Sequence, residues 1–262
     1  MNARQAQEGL QELARSFAPI LHESANIVLK TAEAGLYPLR GQRARRQQGV
    51  QRWGYTIEPN NPLRFRPVVV DELRKTLRVD VYCAIEWQDE NAPPTSQDIK
   101  VRVWSNEHSF LHEFERQLMN EEIMSPEIEA LAEQMTGDSE SGRVIYRCHF
   151  DRANENQAGP RYHVQFGGSP RNGEYGFIPE VIDLPRLIQP PLDLILICEL
   201  IAMNFYPREY LEIRKEASWR SVVYQSQRDL LTTYYNSCNE ALRRFEIDES
   251  GSLLEHLWNV PL

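Results

Sequence analysis

Four segments of this chain alternate between apolar and polar residues, and this alternation constrains the fold more than any other feature. The segments are 79–88, 99–104, 143–151 and 162–167. A period of two residues is typical of β-strands that bury one face and leave the other polar. The connections at 89–98 and 152–161 contain Pro or Gly, as hairpin loops do. The alternation therefore predicts a four-stranded antiparallel sheet built from two hairpins.

Helical patterns surround these strands. Apolar residues recur at helical spacing over residues 1–36, where Pro19 should kink the helix or split it in two. The run Leu192–Phe205 is almost entirely apolar, which favours a helix buried in a core, and residues 208–245 have the pattern of amphipathic helices. Prolines confine any strand within residues 53–70 to an edge or to short pieces.

The predicted fold class is α+β. It comprises N-terminal helices, the four-stranded antiparallel sheet, an inserted acidic helical segment at residues 107–140, and a C-terminal helical layer. We divide the chain into an N-terminal helical arm with a basic connector, residues 1–52, and an α+β domain, residues 53–262, that carries the insertion.

The insertion, residues 107–140, holds the negative charge of the chain. The protein has 29 Lys and Arg against 38 Asp and Glu, a net charge of −9. Ten of these acids and a single Arg lie in the insertion, so it accounts for the whole excess of negative charge. The overall balance excludes a uniformly basic nucleic-acid coat, which needs an excess of Lys and Arg to neutralise phosphates. The first 52 residues have the opposite balance, with eight Lys or Arg against four Glu.

The separation of acidic and basic segments predicts a role in binding, because opposite charged patches steer association and partner choice. We therefore expect a binding or adaptor subunit of a macromolecular complex, with a protein partner or self-association. The expected contact residues are Glu121 and Glu122 in the insertion and Arg40, Arg43, Arg45 and Arg46 in the connector. The connector also has the charge to contact nucleic-acid phosphates.

The polar face of the predicted sheet is a second candidate surface. Strand parity places on it Arg102, Arg147, His149, Asp151, His163 and Gln165. Histidines and a carboxylate on neighbouring strands suit acid–base chemistry, and the arginines suit a phosphate or carboxylate ligand. The alternative function is therefore an enzyme of the nuclease or phosphate-ester hydrolase class, with His149, Asp151 and His163 as catalytic residues. The simpler interpretation is a solvated face on which opposite charges pair across strands.

Two acidic residues accompany the apolar helix: Asp193 in its first turn and Glu199 within it. Carboxylates in apolar surroundings usually pair with a base, so we expect ion pairs with Arg147 or Arg186. No residue is assigned to a metal, and the sequence identifies no cofactor.

The cysteines and the lack of targeting features indicate the compartment. Cys83, Cys148, Cys198 and Cys238 form no CxxC pair and lie in apolar or helical patterns, which favours buried thiols over disulfides. The most apolar run is about 15 residues long, shorter than the ~20 that a spanning helix needs, and the N-terminus lacks the pattern of a secretory signal. We therefore expect a cytoplasmic protein without membrane contact.

Overall fold

A computed structural model describes most of the chain. The described residues are 2–36, 52–70, 75–88, 92–105, 143–153, 159–166, 186–247 and 258–259. The acidic insertion 107–140, with Glu121 and Glu122, lies outside them, and so does the connector with Arg40, Arg43, Arg45 and Arg46. The predictions for these segments, and the division of the chain at residue 52, remain predictions.

The described part of the chain contains six α-helices. They are α1 (Ala3–Ser16), α2 (Ala25–Gly35), α3 (Leu194–Phe205), α4 (Pro207–Ile213), α5 (Ala217–Gln227) and α6 (Thr233–Ile247), with a π-helical turn (Arg228–Thr232) between the last two. Helix α1 begins at a capping box, in which Asn2 and Gln5 each accept a hydrogen bond from the other's backbone N–H. The predicted break at Pro19 separates α1 from α2.

Within the described ranges the main sheet has eight strands and is antiparallel throughout, so the α+β class is confirmed and the predicted number of four strands is wrong. Its strands are β1 (Trp53–Ile57), β2 (Leu63–Arg64), β3 (Val68–Val70), β4 (Lys75–Trp87), β5 (Ser96–Ser105), β6 (Arg143–Arg152), β8 (Tyr162–Phe166) and β9 (Leu187–Ile188). A separate pair consists of β7 (Gly159–Pro160) and β10 (Trp258–Asn259). Three of the four extra strands arise because β4, with 13 residues, is long enough to pair with β1, β2 and β3 in turn, and the fourth, β9, pairs with β8.

The register decides which residues share a face. Strands β4 and β5 pair without a shift from Leu77↔Ser105 to Glu86↔Ser96. Between β5 and β6 the register shifts at Val103 and Trp104, and Val144 lies opposite Trp104. Simple alternation assigns Val144 to the apolar face, but this bulge changes the parity and places it with the residues of the polar face.

The apolar face of the sheet packs into one continuous core with the helices. Val79, Val81, Ile85, Ile99 and Val101 are buried in it, and helix α3 buries residues around most of its circumference. Side chains from the sheet hold the start of α3: the Tyr55 hydroxyl accepts from Leu194 N at 3.3 Å, and Gln97 Oε1 accepts from Leu192 N at 3.0 Å. Helix α3 is thus strongly apolar because it is buried in the core, as its sequence predicts.

The cysteines are thiols rather than disulfides, as predicted. All four are free, with Cys83, Cys148 and Cys198 buried and Cys238 half-buried. No helix in the described ranges is both long and apolar enough to cross a membrane.

Candidate functional site: the polar sheet face

The predicted site residues of the sheet come together on one face, which we call the polar sheet face. Three cross-strand rows of β4, β5, β6 and β8 build it. The first row is Asp80–Arg102–Arg147, the second is Tyr82–Lys100–His149–Gln165, and the third is Ala84–Asp98–Asp151–His163. His149 and His163 are diagonal neighbours, since His149 lies opposite Gln165 and His163 opposite Asp151.

Much of the polar sheet face is buried. Arg102 is 9% exposed, Arg147 8%, Asp80 4% and His163 1%. The interpretation as a simple solvated face is therefore wrong for these residues. A buried charge is strongly disfavoured unless it is paired and hydrogen-bonded, so each needs an identified partner.

Asp80 is a fully paired charge. Its carboxylate lies 3.3 Å from Arg64 Nε of the neighbouring strand β2 and 3.5 Å from Arg78 Nη2 of its own strand. Arg78 in turn lies over the ring of Trp104, which faces it across the β4–β5 pair. This end of the polar sheet face is a self-contained ion-pair network.

Arg102 is held by Tyr82. Its Nη2 donates to the Tyr82 hydroxyl at 2.6 Å, and its guanidinium lies over the same ring, 4.6 Å from the centroid. Lys100 also approaches this ring, at 5.5 Å. Stacking on an aromatic face stabilises a cation.

Arg147 has a different environment. Its Nε donates to Nε2 of His149 at 2.7 Å, which fixes the imidazole as an acceptor at Nε2 and leaves its proton on Nδ1. Burial, followed by the charges of Arg147 and Lys100, lowers the pKa of His149 to about 3. The partner of Arg147 is therefore a neutral ring, and the residue directly opposite it is a second cation, Arg102.

A carboxyl pair lies beside this histidine. Asp98 and Asp151 face each other across β5 and β6. Burial, and then the neighbouring Asp98 carboxylate, raises the pKa of Asp151 to about 7, while Lys100 opposes the shift. Lys100 Nζ forms an ion pair with Asp98 at 2.8 Å. Asp151 lies 4.0 Å from His149 Nδ1, too far for a hydrogen bond.

Sequence reasoning missed Asp98. It placed this residue in the loop 89–98, but β5 begins at Ser96, and Asp98 is in phase with Lys100 and Arg102. The sequence does contain a signal for this strand start, since inward residues Gln97, Ile99 and Val101 alternate with outward residues Asp98 and Lys100. The pattern is hard to recognise because the first inward residue is polar: Gln97 is buried and donates to the backbone carbonyl of Phe150.

His163 is set apart from the Arg147–His149 pair. Its Nδ1 lies 3.1 Å from the carbonyl oxygen of Pro160, and burial lowers its pKa. This contact gives His163 a structural partner at the end of the β7–β8 connection. Among the described residues, no three His, Cys, Asp or Glu side chains are grouped as a metal ion would require.

The two acids of helix α3 have partners other than those expected. Glu199 forms an ion pair with Arg214 at 2.8 Å, and it also accepts from the Tyr210 hydroxyl at 3.0 Å and from Trp219 Nε1 at 2.7 Å. Asp193 is the N-cap of α3 rather than a residue of its first turn, and its side chain accepts from Leu196 N. The expected pairing of these acids with Arg147 or Arg186 is replaced by contacts within the helical layer.

Comparison with known proteins gives no family assignment. No protein-family model, no curated protein and no solved structure matches the chain significantly. The chemistry of the polar sheet face therefore rests on the geometry of this chain alone.

Proposed function

We propose that this protein is a binding protein that holds a phosphate group of its ligand on the polar sheet face. The observation that carries the proposal is Arg147, a buried guanidinium whose hydrogen-bond partner is a neutral imidazole and which forms no ion pair with a described carboxylate. An uncompensated buried charge destabilises a protein by several kcal/mol. A bound anion supplies the missing counter-charge.

The surroundings of Arg147 favour a phosphate over a carboxylate. Arg102 lies directly opposite, and Lys100 occupies the next row. A phosphate monoester carries close to two negative charges at neutral pH, which suits a ligand that lies near two facing guanidiniums. The planar Arg fork also matches phosphate oxygens in a bidentate geometry.

Calorimetric titration with inorganic phosphate and pyrophosphate, at constant ionic strength, tests this function. We expect the wild-type protein to bind, and Arg147→Met to lose at least about tenfold in affinity, because hydrogen bonds to a charged group are worth about 1.5–3 kcal/mol. Proton NMR of His149 gives a second readout, since a bound dianion should raise the pKa of this ring.

The matched control is Arg15→Met. Arg15 pairs with Glu12 on the surface, with 62% of its side chain exposed, so this variant removes one positive charge far from the polar sheet face. It should bind phosphate like the wild type. Equal losses in both variants, or no binding by the wild type, would contradict the proposal.

Hydrolysis of a phosphate ester is the second candidate function, and Asp151 favours it. A carboxyl group with a pKa of about 7 exchanges its proton readily at neutral pH, as a general acid or base must. His149, with a pKa of about 3, remains a neutral acceptor, and His163 is engaged with Pro160. Within the predicted trio, Asp151 is therefore the residue that we propose to move a proton.

Turnover of p-nitrophenyl phosphate and single-stranded RNA by the purified protein tests this candidate. Asp151→Asn should abolish turnover while phosphate binding is retained, and His163→Ala should leave most of the activity. A wild-type protein that binds phosphate without turning over either substrate limits the function to binding.

The charged segments outside the described residues retain their predicted role as contacts for a macromolecular partner. Their opposite charges support this proposal. Reversing Glu121 and Glu122 to Lys should prevent co-purification of a protein partner, and Arg40→Glu with Arg43→Glu tests the connector. If both variants form the same complexes as the wild type, the adaptor role is contradicted. The proposal of a phosphate site on the polar sheet face does not depend on this result.

A further inference from the structure

A second site of buried charge lies away from the polar sheet face. It is a cavity of about 180 Å³ between α1, α5 and the start of α3. Its apolar walls include Ala6, Leu10, Ile195 and Val222. Asp193, Glu8 and several uncharged polar side chains line the same cavity, which therefore combines aliphatic walls with polar and acidic groups.

Asp193 is fully buried, with no exposed surface. One carboxylate oxygen, Oδ1, accepts from Leu196 N at 2.9 Å and caps the helix. The other, Oδ2, has no hydrogen-bond partner of normal geometry among the described residues. Burial raises the pKa of this carboxyl group, and the backbone N–H of Leu196 and the nearby Ser226 hydroxyl only partly oppose the rise. A buried carboxylate oxygen without a donor indicates that a donor is missing.

The charge of the lining indicates which donor fits. The cavity has two acidic residues, Asp193 and Glu8, and no Lys, Arg or His among its lining residues. Glu8 is at the surface and pairs with Arg4, so Asp193 is the acid without a cation. An ammonium group provides both the positive charge and the N–H donors that Oδ2 lacks.

We propose that this cavity binds a small primary alkylammonium ion, with its nitrogen on Asp193 Oδ2 and its alkyl chain against Ile195 and Val222. Since an engineered cavity of about 150 Å³ binds benzene, with its six carbon atoms, a cavity of about 180 Å³ suits an amine of about five or six heavy atoms. This site is independent of the proposed phosphate site.

Titration with n-butylammonium chloride, against n-butanol and sodium chloride, tests the proposal by calorimetry and by chemical-shift changes of Leu196 N–H. The wild-type protein should bind the amine at least about tenfold more tightly than the alcohol, because only the amine pairs with the carboxylate. Equal binding of the two, or no binding of the amine, would overturn the proposal.

Asp193→Asn is the decisive variant, because Asn is as good an N-cap as Asp and keeps the hydrogen bond to Leu196 N. It removes only the charge. We expect at least a tenfold loss of butylammonium affinity, with phosphate binding at the polar sheet face unchanged. Undiminished affinity in this variant would overturn the proposal.

Gly9→Ala tests the location of the alkyl chain. A Cβ at this position meets Ile195 Cδ1 at 3.5 Å, an ordinary contact, so the variant folds and narrows the cavity. Butylammonium should bind several-fold more weakly, and methylammonium should be affected less. If both amines bind the variant as they bind the wild type, the amine does not occupy this cavity.

Discussion

Glu199 and Arg147 are both charged and mostly removed from water, but their surroundings differ. Glu199, with 13% of its side chain exposed, accepts hydrogen bonds from Arg214, Tyr210 and Trp219. Among the described residues, Arg147 has one hydrogen bond, to a neutral ring, and it faces another arginine. A buried charge with a full set of donors stabilises the fold, whereas one without a counter-charge destabilises it, and this difference is the basis of the proposed binding surface.

Removing Glu199 should have the largest effect on stability. Glu199→Ala leaves the indole N–H of the fully buried Trp219 without an acceptor, and it also deprives Tyr210 and Arg214 of theirs. Each buried unsatisfied group costs about 1–3 kcal/mol, and Arg214 less because it is partly exposed, so we expect a loss of about 2–4 kcal/mol in urea denaturation. Glu199→Gln should lose less. A loss of stability below about 0.5 kcal/mol would contradict the view that Glu199, unlike Arg147, is a structural charge.

Asp151→Asn should have an intermediate effect that depends on pH. In the folded protein the pKa of Asp151 is raised to about 7, so the folded state keeps this proton up to neutral pH whereas the unfolded chain loses it near pH 4. The wild-type protein therefore loses stability as pH rises from about 4 to above 7. At pH 8 the variant should be more stable than the wild type, by about 1–3 kcal/mol, with little difference at pH 4.

His149 acts in the opposite direction over the same range, which provides an internal control. Its pKa is lowered to about 3 in the folded state, so the unfolded chain binds the proton first and stability falls as pH drops below about 6.5. Between about pH 4 and 6.5, His149→Gln should remove a gain of stability with rising pH, and Asp151→Asn should remove a loss of stability with rising pH. If both variants change the slope of stability against pH in the same direction, the assignment of these two groups is wrong.

Arg147→Met should have the smallest effect on stability in the absence of ligand. The variant loses one hydrogen bond to His149 but also removes the repulsion from Arg102 and the burial of an unpaired charge. Exchange of a buried ion for an apolar side chain of similar size is often neutral, so we expect a change within about 1 kcal/mol by denaturation in phosphate-free buffer. A loss as large as that of Glu199→Ala would mean that Arg147 is structural.

The local alternation of residues was enough to predict most of the polar sheet face. Because side chains in a strand change sides at every residue, Arg102, Arg147, His149 and Asp151 were assigned to one surface without knowledge of the pairing. The pairing itself decided that Asp98 faces Asp151 and that His163 lies diagonal to His149. A bulge then moved Val144 off the apolar face, and no local pattern marks a bulge of this kind.

The sequence by itself determined the α+β class, the four central strands, the break at Pro19 and the buried character of helix α3, because each depends on residues close together in the chain. Tertiary structure alone decided the eight-stranded sheet, the burial of Arg147 and the partners of Asp193 and Glu199. Trp219 reaches Glu199 from 20 residues away, and Tyr55 meets the start of α3 from a distance of 139 residues. Whether a buried charge is satisfied depends on such distant partners, and the period of a local pattern contains no information about them.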